Sequence, residues 1–93
     1  MQLLNDQNVK ARKGHTCDAC GLRIEPGEAY NRQISKDCGD WYVWRQHLEC
    51  QAEAEREYAK DRDVDLGAGW LRDEPSSQSA EWQAWYVSRG GEL

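Results

Sequence analysis

The rhythm of hydrophobic and polar positions changes twice along these 93 residues. "MQLLNDQNVKARKG", residues 1–14, follows neither a strand period nor a helix period. It reads as a flexible basic lead-in carrying Lys10, Arg12 and Lys13. The next stretch is short and β-like. "LRI", "EPGE" and "AYNRQI" predict strand, turn and strand, with Pro26 and Gly27 at the central positions of a type II turn. "SKDCGD" predicts another turn, and "WYVWR" a strand of the aromatic and β-branched residues that sheets favour. From Gln46 the rhythm becomes helical. "QHLECQAEAEREYAKDRD" lacks Gly and Pro and consists largely of good helix formers. His47, Cys50, Ala54 and Tyr58 fall on one thin stripe, and Glu53, Glu55, Arg56 and Glu57 point elsewhere.

"VDLGAGWLRDEPSSQS" reads as a loop pinned by Trp70 and Leu71. "SAEWQAWYVSRGG" predicts a short helix that Ser79 caps and Gly90-Gly91 end, with Trp82, Trp85, Tyr86 and Arg89 on one side. The expected organisation is a lead-in (1–14), a core (15–62), a loop (63–79) and an aromatic C-terminal helix (80–93). That helix is expected to pack back on the core, against Trp41 and Trp44.

Composition makes such a core thin. Hydrophobic residues are 39% and charged residues 31%, and the mean hydropathy is −1.00. A domain this small needs a further source of stability. No apolar run reaches membrane-spanning length, and "MQLLNDQNVK" lacks the hydrophobic stretch of a signal peptide. The expected compartment is the cytoplasm (of the host, for a phage-encoded chain), where thiols stay reduced.

Charge is uneven. Residues 1–50 carry seven Lys/Arg against seven Asp/Glu, whereas residues 51–93 carry five against ten, which accounts for the net −5. An acidic second half argues against general affinity for nucleic acid but leaves room for a local basic patch.

Reduced cysteines at paired spacing favour a metal. Cys17, Cys20, His47 and Cys50 give the arrangement C-x2-C-x26-H-x2-C. Paired Cys and His at short spacing suit a closed, tetrahedral, structural zinc site. A Cys-x-x-Cys-Gly knuckle, a hairpin with a third strand, and a helix opening on the second pair make a treble-clef-like layout. The expected fold is therefore a small α+β zinc-binding domain. One Zn²⁺ bound this way contributes roughly 10 kcal/mol or more in small peptides. A redox pair at Cys17/Cys20, disulfides, and another metal such as iron or no metal at all are the alternatives. Cys38 reads as a spare thiol and His15 as an exposed histidine.

"CDACGLRIEPGEAYNRQ" followed by "WYVWRQHLEC" resembles the zinc fingers of poly(ADP-ribose) polymerase type over residues 15–52. The opening also resembles that of small zinc proteins encoded by phages and prophages. The resemblance implies a treble-clef finger with Cys17, Cys20, His47 and Cys50 as ligands. It also implies contacts to DNA ends from exposed aromatic and basic residues, although the hairpin tip "EPGE" here is acidic.

Three functions follow as expectations. Catalysis is disfavoured, because four protein ligands close the coordination sphere and no other catalytic set is visible. The leading expectation is a protein-interaction module for a partner that is basic or handles nucleic acid, with Trp82, Trp85 and Tyr86 as candidate anchors. The alternative is a finger for DNA ends or single strands, contacting phosphates through Lys10, Arg12, Lys13, Arg23, Arg32 and Arg45.

Overall fold

The computed structural model describes residues 2–64 and 66–93. Asp65, inside the expected 63–79 loop, lies outside the described residues.

Three strands form the main antiparallel sheet: β1 (Gln2–Lys10), β4 (Ala29–Asp37) and β5 (Asp40–His47), in the order β1-β4-β5. A second, two-stranded sheet pairs β2 (His15–Thr16) with β3 (Arg23–Ile24). Three helices follow: α1 (Leu48–Lys60), α2 (Trp70–Asp73) and α3 (Ala80–Ser88), with a 3-10 turn at Pro75–Ser77.

The first strand corrects the sequence reading. Residues 2–10 are no loose lead-in but pair with β4 from Gln2↔Lys36 to Lys10↔Ala29, with one irregularity between Leu3 and Asn5. Their Asn- and Gln-rich sequence hides this, because an edge strand is held by its backbone. Part of the holding is also polar. Asn31, fully buried in β4, donates to Asp6 Oδ1 at 2.7 Å and Asn8 Oδ1 at 3.1 Å. Its own Oδ1 accepts from Gln33 Nε2 at 2.9 Å and Gln46 Nε2 at 3.0 Å. With every amide site used, burial of Asn31 carries no unmet hydrogen bond.

Both expected turns form. Gly27 has φ 86° and Glu28 N–H donates to Glu25 O at 3.0 Å, as a type II turn requires. Between β4 and β5, Cys38 (φ 53°) and Gly39 (φ 88°) both take positive φ. That pair makes a type I′ turn, whose twist matches a two-residue hairpin.

Helix α1 begins at Leu48 rather than Gln46, so His47 is its N-cap residue and the last residue of β5. Residues 69–79, within the expected loop, are more ordered than a plain loop. Gly69 N–H donates to Asp18 O at 2.7 Å and Leu71 N–H to Ala19 O at 3.1 Å, which ties α2 to the Cys17–Cys20 knuckle. Leu71 is fully buried there. Glu53, expected to face water, is also buried, because it bonds to Ser79.

The core gathers Ile24, Tyr30, Leu71, Trp82 and Tyr86 around the buried cysteines, with Val9, Leu22, Trp44, Trp70 and Trp85 packed against it. Helix α3 lies against the cysteine cluster, with Trp82 and Tyr86 in the core and Trp85 on His47, whereas Trp41 is 62% exposed. Among the described residues, no helix is long and apolar enough to cross a membrane.

Candidate metal centre and basic face

Cys17, Cys20, His47 and Cys50 come from three places: the knuckle between β2 and β3, the end of β5, and the first turn of α1. All four are buried, and their ligand atoms lie within 4.8 Å of one another. Cys17 Sγ stands 3.8 Å from Cys50 Sγ, while His47 Nδ1 stands 3.4 Å from Cys20 Sγ and 3.8 Å from Cys50 Sγ. Two sulfurs each ~2.3 Å from a shared tetrahedral centre are separated by ~3.8 Å, so the spacing fits one ion.

Local geometry explains how the chain builds this. Gly21 (φ 80°) closes the knuckle, with its N–H donating to Cys17 O at 3.0 Å. Cys20 N–H points at Cys17 Sγ, 3.5 Å away. At the other pair, the N-cap His47 makes no side-chain cap bond. Its Nε2–H donates to Arg23 O at 3.0 Å, which fixes the ring and leaves Nδ1 for the metal.

The cluster's electrostatics reflect its crowding. Thiol hydrogen bonds from Cys20 and Cys50 pull the Cys17 pKa down, and the same contact with Cys17 pushes Cys50 up. Burial opposes charge on His47, but Cys17 and Cys20 outweigh it and raise its pKa to about 10. Bound metal replaces these shared protons, since the ligating forms are thiolate and neutral imidazole.

The sequence reading missed the groups around His47. Trp85 meets its ring edge-on, centroids 4.8 Å apart. Arg89 lies over Trp85 at 5.5 Å and grips Glu28 with two bonds of 2.8 and 2.7 Å. Arg89 Nη2 also donates to Arg23 O at 3.2 Å, sharing the acceptor that His47 uses. The helical spacing of Trp85 and Arg89 hints at their common side, but nothing local marks Glu28.

Trp82 and Tyr86 stack at 4.6 Å and are 2% and 5% exposed. They are core residues and present no surface to a partner, and Trp85 is half-buried over His47. Burial thus removes Trp82 and Tyr86 from the candidate contact anchors. Cys38 is exposed in the hairpin turn and is not part of the group of four.

Five of the six basic candidates come together. Lys10, Arg12, Lys13, Arg32 and Arg45, with Val9, Ala11, His15 and Tyr30, line an open concavity of about 1040 Å³ that has no carboxylate in its wall among the described residues. Arg32 and Arg45 face each other across β4 and β5, and the Nε of each is buried without a partner. Like charges directly opposite on a sheet are destabilising. Arg23 stands apart, paired with Glu25 at 3.3 Å.

Fold and site together define a small α+β domain with an antiparallel sheet, helices and a buried Cys3His group suited to one structural metal ion. No family model, curated protein or solved structure matches the chain.

Proposed function

We propose that this chain is a zinc-stabilised, non-catalytic binding module of treble-clef type whose basic face holds a single strand of nucleic acid. Zinc is favoured by three cysteines and a histidine in a closed, buried set, close enough together for one tetrahedral ion. The absence of catalysis rests on that closure, since a catalytic zinc keeps a position open. The treble-clef reading rests on the knuckle, the β4–β5 hairpin and a helix that opens on the last ligand pair. A phage or prophage origin rests only on the resemblance of the opening motif.

The observation that carries the binding reading is the acid-free concavity where Arg32 and Arg45 lie opposed and unpaired. A free protein gains nothing from holding two guanidinium groups together, whereas a phosphate backbone between them would satisfy both. Single strands are favoured over duplex by what continues the face. By strand alternation and register, Lys36 and Trp41 share the side of Arg32 and Arg45. Trp41 is 62% exposed, with Lys36 Nζ 5.4 Å from its ring. A cationic track beside an exposed ring suits a backbone with unstacked bases. The protein-partner reading loses its support on α3, because Trp82 and Tyr86 are buried there.

The test is fluorescence anisotropy of a labelled oligothymidine with the zinc-loaded protein across a salt series. Binding should weaken with salt with a log–log slope of about −2 to −3, as for three or four phosphate contacts on a single strand. Arg45→Gln and Arg32→Gln should each flatten that slope by nearly one contact, and Trp41→Ala should weaken binding several-fold with the slope unchanged. No binding at low salt, or equal binding by the Arg45→Gln variant, overturns the reading; a preference for duplex overturns the single-strand assignment.

A further inference from the structure

We propose that the opposite side of the sheet carries a second site, which takes an extended peptide along the β5 edge with an arginine or lysine side chain held among aromatic rings. A cavity of about 520 Å³ opens there between β5, α1 and residues 66–70, with Val64 also in its wall. Its volume is that of a formed ligand site, for which about 300–1,000 Å³ is usual. Tyr42, Trp44, Tyr58 and Trp70 supply its aromatic surface, and among the described residues no Lys or Arg lines it.

Beside the hydroxyls of Ser35, Tyr42 and Tyr58 and the indole N–H groups, the wall offers one carboxylate and two amide oxygens as acceptors. Asp18 Oδ2 takes the Arg45 amide proton at 2.9 Å, and Oδ1 has no partner among the described contacts. Gln33 and Gln46 point their Nε2 groups at Asn31, so each keeps its Oε1 as an acceptor. Rings that attract cations, one carboxylate and spare acceptors select a donor-rich positive group. An anion would meet Asp18, and an apolar group would bury that carboxylate without a counter-charge.

The sheet edge supplies the second half of the site. Arg45 uses both its backbone groups away from β4: its N–H goes to Asp18 Oδ2 and its C=O accepts from Asp18 N–H at 2.7 Å. Backbone direction alternates along a strand, so Val43, two residues on, turns its N–H and C=O to the same outer edge. Val43 belongs to the cavity wall, although its side chain lies with that of Arg45 on the basic face. β5 ends the sheet on this side. An extended segment can therefore add to the edge at Val43, with alternate side chains dropping toward the rings. The occupant is a basic, extended stretch of a partner protein, complementary to a chain of net charge −5.

The test uses the metal-loaded, nitrogen-15-labelled full chain titrated with acetyl-Thr-Val-Arg-Val-Thr-amide and with counterparts carrying Gln or Glu in place of Arg. The Arg peptide should shift the Val43 amide and the Trp44 and Trp70 indole N–H signals. The Gln peptide should bind roughly ten-fold more weakly. Asp18→Asn keeps an acceptor for the Arg45 amide and removes the charge, and it should weaken the Arg peptide about five-fold. Tyr42→Ser, at an exposed ring, should weaken it several-fold and leave core resonances in place. Equal affinity for the three peptides, unmoved Val43 and indole signals, or unchanged binding by Asp18→Asn overturns the proposal.

Discussion

Glu53 in α1 and Ser79 at the N-cap of α3 are joined by two 2.7 Å hydrogen bonds, from the Ser79 amide to Oε2 and from its hydroxyl to Oε1. Ser79 Oγ in turn accepts the Trp82 amide proton at 3.3 Å, so one carboxylate holds the cap that starts α3. Arg56 closes the group with a 2.6 Å bond to Glu53 Oε1. Through this contact α3 is held over His47.

Removing that carboxylate should therefore loosen α3. Glu53→Ala is expected to cost about 1–2 kcal/mol, since it leaves the half-buried donors at Ser79 without their carboxylate and loosens the cap. Chemical denaturation of the metal-loaded protein measures it. Burial raises the Glu53 pKa, but the Ser79 bonds and Arg56 outweigh it and leave the net value below the ordinary carboxyl value. The folded state thus gains stability above the unfolded pKa and loses it as pH falls through the folded one. The acid limb of stability against pH should be shallower in Glu53→Gln than in the wild-type chain.

Metal removal should be more severe. A strong chelator is expected to abolish most helical circular dichroism and shift tryptophan emission to the red, because Trp85 and Trp82 pack around the cluster. Mass spectrometry under non-denaturing conditions should find one zinc per chain, and cobalt(II) should give the absorption of a tetrahedral thiolate site. Cys17→Ser, Cys20→Ser and Cys50→Ser should each lose this, and Cys38→Ser should keep it. A bare chain with unchanged dichroism would count against the site.

The opposed arginines predict a trade between stability and binding. Arg45→Gln relieves like-charge repulsion with Arg32 at a directly paired position, and should stabilise the free protein by about 0.5 kcal/mol. The same variant should bind oligothymidine less tightly. Thermal melts with and without the oligonucleotide separate the two effects. A variant that loses stability as well as binding would show that Arg45 serves the fold.

At the hairpin tip, Cys38 has φ 53°, in the left-handed region. Asn tolerates that conformation better than Cys, so Cys38→Asn should raise stability by a few tenths of a kcal/mol and remove the exposed thiol. A melt under reducing conditions checks it; a lower midpoint would contradict the turn assignment.

The saturated amide of Asn31 gives a charge-sensitive probe. Asn31→Asp places a buried carboxylate beside Asp6 Oδ1 and removes both donors to β1. It should cost about 3 kcal/mol near neutral pH and recover partly in acid, as the new group is protonated. Amide exchange along residues 4–10 should accelerate in this variant more than exchange in β5.

The ligand set was legible in the sequence because metal chemistry demands particular residue types, and Cys17/Cys20 and His47/Cys50 lie as close pairs along the chain. The turns at Gly27 and Cys38-Gly39 and the Ser79 cap were legible for the same reason: each depends on a few adjacent residues. Sequence could not decide what depends on contact between distant segments. β1 is a strand because β4 offers it a hydrogen-bonding edge and Asn31 a polar partner, and its own residues carry no strand period. Trp82 and Tyr86 are core because α3 lands on the metal cluster, a position set by Glu53–Ser79 and Arg89–Glu28 pairs far apart in the chain. The basic face exists because strand register sets Arg32 against Arg45 and brings Arg12 and Lys13 beside them. Local chemistry is written residue by residue, whereas burial and charge clustering are properties of the folded surface.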